Sequence, residues 1–518
     1  MPSPDSTELG ALMQAAARAV DAGDDALAEP LLRRIVALNA RDAEAWHMLA
    51  VIAVRAGRSG DAVDLAKRAQ ELDRRNTDYL NTLGIAYSEA QQPDQALACF
   101  KRAVKERPGW ADGHYNLGKA YVKLGRTAEA EQAYLRARRL DPAKGQAAAN
   151  LALLRIRQGR HEEALALLAE ARARLRDDES IVINTASALL ARSGPEAAIG
   201  ELASFLESHP LAAAVHAELG RLLLALGRFA EGWREYAWRH GRAPSGFPDC
   251  GGKRVLLLPD QGLGDQLFFL RFVRALRDRA AHVAFACPDK LFELLKGNPP
   301  VDELRRPGQG TDGFDLSLPI GDLPRLLEAQ DTPPPVAISV PAERIAQWRK
   351  RLALLGPGPY LGVTWRAGAR REGRSEFAAR GEDPLQKEID LKALASAVRG
   401  WRGSVLILQR LPLEGAVAAF GTALGRACLD LSAVNDDLAD MAALLCVVDE
   451  HVGVSNTNMH ISAGVGKPAR VVIPFPAEFR WMNAGSESPW FPGFNLYRES
   501  PARDWQSAMK ALAHDVTR

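Results

Sequence analysis

The sequence predicts a multidomain chain: an all-α solenoid of stacked helix pairs over residues 1–245, then a parallel α/β region of two doubly wound domains, 246–345 and 346–518. Three observations predict it. A 34-residue period runs through the first half. After Lys253 it gives way to short apolar runs alternating with helical segments. Several of those runs end in glycine-bearing or polar turns that open helices.

The period is read by position. Units beginning at Leu9, Ala43, Thr77, Ala111, Gly145, Glu179 and Ala213 align without insertion or deletion. Leu83-Gly84, Tyr87, Ala96, Phe100, Ala103 and Pro108 return as Leu117-Gly118, Tyr121, Ala130, Tyr134, Ala137 and Pro142. Small residues at the eighth and twentieth places let two helices approach, and large ones at places four, seven, eleven and twenty-four fill the groove between units. Gly57, Gly125, Gly159 and Gly227 mark where first helices turn, and Pro108, Pro142 and Pro210 mark where second helices stop. In all seven units this resembles the tetratricopeptide repeat family. The resemblance implies a superhelix whose concave face presents the first helices to a polypeptide partner. Asn81, Asn116 and Asn150 lie at first-helix positions and read either as a ladder gripping an extended backbone or as solvated polar positions. The seventh unit degrades into Gly- and Pro-rich sequence, a cap and linker near Arg242 to Gly252.

Beyond the linker the strand candidates are Val255–Leu258, His282–Ala286, Leu361–Thr364, Val405–Leu408, His451–Val454 and Arg470–Ile473. A first sheet is expected over about 253 to 340, a helical connector after it, and a second sheet from Tyr360, with a ligand cleft between the two. The helical spacing of Asp504–Val516 suggests a terminal helix crossing back to brace the first sheet.

Composition bounds the function. With 47% hydrophobic and 25% charged residues, and 66 basic against 64 acidic for a net +2, nothing demands a nucleic-acid or membrane partner. The five cysteines, Cys99, Cys250, Cys287, Cys428 and Cys446, show neither a CxxC pair nor zinc spacing and read as reduced. No leader-like start and no apolar run of about 18 residues is found, so a cytoplasmic setting is expected and no membrane span.

Three constellations carry chemistry. The first is the turn Gly262-Leu263-Gly264-Asp265-Gln266 after a strand, where glycines let backbone approach a ligand. It lacks the third glycine of a dinucleotide fingerprint and the Lys-Ser/Thr of a phosphate loop. Asp265 reads as a base facing an acceptor or as a helix cap. The second is Ser455-Asn456-Thr457-Asn458 with His460 one turn into the helix, suited to a diphosphate or to simple capping. The third is the loop after Thr364, with Arg366, Arg370, Arg371, Arg374 and Lys387; Arg366 and Lys387 flank the strand end and the next helix, and Gln409 and Arg410 share the rim. Trp481, Trp490, Phe491 and Phe494 read as stacking partners for a sugar or nucleobase, or as packing for the C-terminal segment.

The turn GLGD, the strand end GVTWRAG, KEIDL, LILQR, SNTNMHISAGVGKP, PFPAEFRWM and SPWFPGF resemble bacterial tetratricopeptide-fused glycosyltransferases related to the heptosyltransferases. The resemblance implies a GT-B arrangement of two Rossmann-like domains, with no cofactor and no metal. It makes Asp265 the general base, with Gly262, Gly264 and Gln266 on the acceptor side. Ser455, Asn456, Thr457, Asn458, His460, Arg366, Lys387 and Gln409 then hold a nucleotide-sugar donor. Asn456 and a shortened turn stand where heptosyltransferases carry an Asp-Thr/Ser-Gly element, which separates the expected donor from ADP-heptose. The function so implied is transfer of a sugar to a Ser or Thr hydroxyl of a protein, such as a flagellin or adhesin, held by the solenoid. The competing expectations are a non-catalytic adaptor with a degenerate transferase half, and a transferase acting on a glycan or lipid.

Overall fold

The computed structural model describes residues 4–244, 246, 248–306, 308–367 and 388–517. Two compact units divide at Ile181.

The first unit is five helix pairs: Pro4–Asp21 with Asp25–Leu38, Ala43–Arg55 with Ser59–Leu72, Thr77–Glu89 with Pro93–Glu106, Ala111–Lys123 with Thr127–Leu140, and Gly145–Arg157 with His161–Arg172. First helices start where the repeat starts, at Ala43, Thr77, Ala111 and Gly145, whereas the opening helix starts earlier than its unit, at Pro4. Capping fixes several starts: Asp42 Oδ1 accepts from Ala45 N–H, and Asn76 Oδ1 from Asp78 and Tyr79 N–H. The eighth-place glycines are there for contact. A Cβ on Gly84 would stand 2.6 Å from the Phe100 ring, and one on Gly118 2.5 Å from the Tyr134 ring.

Between successive pairs the polar side chains meet each other at a separation of 35 residues. Asn116 Nδ2 donates to Asn81 Oδ1 at 2.8 Å, Tyr79 Oη donates to Glu44 Oε2 at 2.8 Å, and His47 Nε2 lies 2.9 Å from Thr82 Oγ1. Asn81 and Asn116 thus spend hydrogen-bonding capacity inside the repeat array.

Most turns that close a first helix take positive φ, and Gly23, Gly57, Gly125, Gly159 and Gly227 supply it at 68–80°. In the third unit the same place is Gln91, with φ 58° on an exposed residue. A side chain there costs roughly 1–2 kcal/mol. Gln91→Gly should raise stability by about 0.5–1 kcal/mol after the greater chain entropy of glycine is offset, read as a higher urea midpoint at unchanged m value.

The second unit holds most of the helix Glu179–Ser193 and the last repeat helices, Pro195–Ser208, Ala213–Ala225 and Phe229–Tyr236, together with both sheets. The first sheet is all parallel in the order β3-β2-β1-β4, with β1 Arg254–Leu258, β2 His282–Ala286, β3 Glu303–Arg305 and β4 Leu316–Pro319. The second is all parallel in the order β10-β9-β8-β5-β6-β7, from β5 Tyr360–Thr364, β6 Ser404–Ile407, β7 Leu429–Asp430, β8 Glu450–Val454, β9 Arg470–Ile473 and β10 Asn495–Arg498. Counted from its own first strand, that is the 3-2-1-4-5-6 order of a doubly wound dinucleotide-binding sheet, and the first sheet has the leading 3-2-1-4. The six strands predicted from apolar runs are the six interior ones.

The connector forms the helix Ala342–Leu355, tied to the second half by Trp348 Nε1 donating to Asp440 Oδ1 at 2.9 Å. The terminal helix, Gln506–Val516, corrects an expectation: it packs on the second sheet, not the first. Leu512, Ala508 and Val516 share a core with Val363, Leu394 and Tyr497, because the helix follows β10 directly and finds the uncovered face of its own sheet.

Candidate functional site

In a doubly wound sheet, loops at the strand C-ends diverge where the strand order reverses, leaving a crevice. That point lies between β1 and β4 in the first sheet and between β5 and β8 in the second. The turn Gly262–Gln266 follows β1 and opens the helix Leu263–Phe269; Ser455 and Asn456 follow β8 and open the helix Thr457–Gly464. These two switch-point loops touch. A Cβ on Gly264 would lie 3.0 Å from His460 Cδ2 and 3.5 Å from Thr457 Cα, so glycine is the residue that lets the turn approach that helix.

Arg480, in the loop after β9, ties the contact together. Its Nη2 donates to Asp265 Oδ1 at 2.5 Å and its Nη1 to His460 Nε2 at 3.2 Å. A guanidinium only donates, so this bond requires His460 Nε2 to be unprotonated. The other carboxylate oxygen, Asp265 Oδ2, accepts from Gly262 N–H at 3.1 Å, so the carboxylate caps its own helix start as well as holding the arginine. Arg480 is buried against the rings of Phe268 and Phe479, at 5.1 and 5.2 Å to their centroids. Burial pulls its proton affinity down, but Asp265 and then Glu478 more than offset this, and the guanidinium is held above its ordinary range. Asp265, Gly264 and His460 are legible in sequence. Arg480 is not: its signal is one arginine between two aromatics in Phe479-Arg480-Trp481.

The remaining predicted residues divide. Asn456 is the cap of the helix Thr457–Gly464: Oδ1 accepts from Asn458 N–H at 2.9 Å and Nδ2 donates to Thr364 Oγ1 at 2.9 Å, bridging β8 to β5 across the switch point. Asn458 is buried and donates to Asn435 Oδ1 at 3.2 Å. Gln409 is a backbone clamp, Oε1 accepting from the N–H groups of Trp365 and Arg366 at 3.0 and 2.8 Å and Nε2 donating to the Arg366 carbonyl at 3.1 Å. Arg366 is buried, donates from Nη2 to the Leu411 carbonyl at 2.8 Å, and has no partner for Nε among the described residues. Ser455 is buried and Thr457 half-buried at the same helix start. Lys387, with Arg370, Arg371 and Arg374, lies outside the described residues. Gln266 is buried, its Nε2 on the Gln261 carbonyl at 3.3 Å.

Beneath the turn, in β8, His451 is buried with Nδ1 3.0 Å from Ser462 Oγ, and burial pushes its imidazole down to about 4. Unfolded, it titrates near 6.5, so between those values the unfolded chain binds the extra proton and stability falls as pH falls. His451→Gln should remove a pH dependence on the order of 3 kcal/mol between pH 6.5 and 4, measured by urea unfolding at several pH values.

Trp481, Trp490, Phe491 and Phe494 are all fully buried, with Trp481 stacked on Phe491 at 4.6 Å. They are packing residues and present no ring to a ligand. The same core takes in Trp233 and Tyr236 of the last repeat. That repeat also reaches the turn carrying Asp265. Tyr236 Oη and the Gln261 side chain exchange hydrogen bonds at 2.9 and 3.1 Å, and half-buried Arg239 pairs with Asp260 at 2.5 Å and Asp322 at 2.7 Å, in the loops after β1 and β4. Neither is identifiable from sequence: Tyr236 sits at a repeat place read as packing, and Arg239 in the degraded end of the seventh unit.

Two surface hollows lie elsewhere, about 940 Å³ along Pro412–Asp430 and about 410 Å³ between the helices Asp289–Leu295 and Leu438–Val447; neither is lined by Asp265, His460 or Arg480. The contact geometry, not the size of a hollow, marks the site. Among the described residues no group of three or more His, Cys, Asp or Glu is placed to hold a metal ion, and no helix is long and apolar enough to cross a membrane.

Comparison with known proteins agrees with the repeat region. The tetratricopeptide repeat profile matches residues 13–77, 81–144, 115–179 and 183–240. The chain therefore carries tetratricopeptide repeats, in fourteen helices, followed by a region of parallel sheets. It is similar to Protein FlbA of Caulobacter vibrioides, 27% identical over 332 residues, which is 56% of this chain and 53% of that protein. The chain thus spans about half the length of this relative. Among solved structures it is similar to a thermophilic TPR protein of Thermus thermophilus, at 26% identity over 35% of this chain and 99% of that one with a TM-score of 0.31. A second is a tetratricopeptide repeat protein of Parabacteroides merdae, at 17% identity over 46% and 94% with a TM-score of 0.40.

Proposed function

We propose that the chain is a glycosyltransferase of GT-B arrangement that moves a sugar from a nucleotide-sugar to a hydroxyl of a protein held by the repeats. The observation that carries this reading is the meeting of the two switch-point loops, Gly262–Gln266 and Ser455–His460, through Asp265, Arg480 and His460. Repeats of this kind usually hold protein partners, which supports a polypeptide acceptor. In the reaction, the acceptor oxygen bonds to the anomeric carbon as the bond from that carbon to the diphosphate breaks. The hydroxyl proton passes to Asp265 Oδ1, and Arg480 turns from Asp265 to the charge gathering on the departing nucleoside diphosphate. The pairing of Asp265 with Arg480 is then the resting state, opened by the donor's phosphates. Arg366, Lys387 and the helix start at Thr457 are the donor-side groups in this reading, and the second sheet's order supports a nucleotide there.

A second reading, an adaptor whose sheet region does no chemistry, is favoured by one specific observation: Gln409, Asn456 and Asn458 spend their amides inside the protein, and both Asp265 oxygens are occupied. One experiment separates the two. A thermal-shift panel of UDP, GDP, ADP, CMP and their sugars identifies a nucleotide, which at a hundredfold excess over its dissociation constant adds about 2.7 kcal/mol. Transfer from the matching sugar to captured partner protein is then measured for wild type and Asp265→Asn. Transfer by wild type, lost at least 100-fold in Asp265→Asn with partner capture intact, is expected. Partner capture with neither nucleotide stabilisation nor transfer would establish the adaptor.

A further inference from the structure

We infer that Tyr236 is a positioning residue of the candidate site, so that the seventh repeat sets the geometry of the turn carrying Asp265. Gln261, the residue before that turn, is held at φ +61°, a conformation that residues with a side chain seldom adopt. Two contacts fix it there. Its side chain exchanges hydrogen bonds with the buried Tyr236 hydroxyl, and its carbonyl accepts from Gln266 Nε2 at 3.3 Å. The next residue, Gly262, gives its N–H to Asp265 Oδ2, so the torsion at Gln261 sets where the carboxylate stands before Arg480. One residue earlier, Asp260 is anchored by Arg239, also from the seventh repeat and also paired with Asp322 beyond β4. Repeat side chains thus grip the loops after β1 and β4, the pair that frames the first sheet's switch point. The consequence for chemistry rests on the proposed transferase reading; the consequence for loop conformation does not.

The test is hydrogen–deuterium exchange on the full chain, with wild type, Tyr236→Phe, Gln261→Gly and the double variant. Tyr236→Phe keeps the ring in its core and removes only the hydroxyl. Amides of residues 260–269 should then exchange about tenfold faster, while those of the helix Ala213–Ala225 and of β2 stay at the wild-type rate. Glycine adopts positive φ without a holder, so in the Gln261→Gly background the tyrosine substitution should have no further effect on the loop. If the proposed transfer is detected, its kcat should fall in Tyr236→Phe with KM for the nucleotide-sugar unchanged. Unchanged exchange over 260–269 in Tyr236→Phe, a rise spread evenly through the sheet region, or an effect that persists undiminished in the Gln261→Gly background would each overturn the inference. Wild type without any transfer would sink the transferase reading while leaving the exchange result to decide this one.

Discussion

Arg480→Ala should cost the sheet region about 3–5 kcal/mol of stability, a large share of what a domain of ordinary stability has. Arg480 is the buried partner and Asp265 the half-buried one, so removing the guanidinium takes a charge-assisted bond from a carboxylate that water reaches only in part, and leaves a gap among apolar rings. Here Asp265 Oδ1 loses the guanidinium and His460 Nε2 loses a donor, while Asp265 Oδ2 keeps the Gly262 N–H. The rings of Phe268 and Phe479 lose the cation they flank. Urea unfolding followed by tryptophan fluorescence reports this transition, since Trp233, Trp481 and Trp490 lie in the core concerned. A companion variant, Arg480→Leu with Asp265→Leu, should recover most of the loss, because apolar groups of similar size then replace both charges. A loss below about 1 kcal/mol for Arg480→Ala would mean that water or a neighbouring group takes over Asp265 without strain.

Trp233→Ala should be of similar size, about 3–5 kcal/mol, for a different reason. This indole comes from the last repeat helix, yet its neighbours come from both halves of the sheet region. Its ring lies edge-on to Phe479 at 5.6 Å, Phe272 at 6.0 Å, Trp490 at 6.1 Å and Phe269 at 6.2 Å. Removing it opens a cavity that cannot collapse, because the surrounding rings are held by different elements. Trp233→Phe should recover more than half of the loss. If Trp233→Ala unfolds at the wild-type urea midpoint, the last repeat is not part of this core's cooperative unit.

The repeat helices were readable because a helix pair packs on its neighbour through a fixed set of places, so identity at each place recurs every 34 residues. The six interior strands were readable for a related reason: a strand covered on both faces must be apolar throughout. The four that sequence missed, β3, β4, β7 and β10, are the four sheet edges. Edge strands are short and half-exposed, and ELR, LSLP, LD and NLYR carry no continuous apolar run.

At the candidate site the division is similar. The turns at Gly262–Gln266 and Ser455–His460 announce themselves by glycine or capping residues between a strand and a helix. Their contact does not, since it joins residues nearly two hundred positions apart, and neither does the arginine that bridges them. Gln409 illustrates the limit well: polar and beside a strand end, it reads as a rim residue, but its amide matches the backbone of Trp365 and Arg366 and is spent there.

By itself the sequence determined the repeat array, the change to parallel sheets and the two loops placed at strand ends, because periodicity and turn chemistry are local and each residue carries its own part of the signal. Tertiary structure alone decided that Asp265 pairs with Arg480 and that the seventh repeat reaches the turn through Tyr236 and Arg239. Those pairings depend on which surfaces the sheets bring together, and no local spacing encodes them.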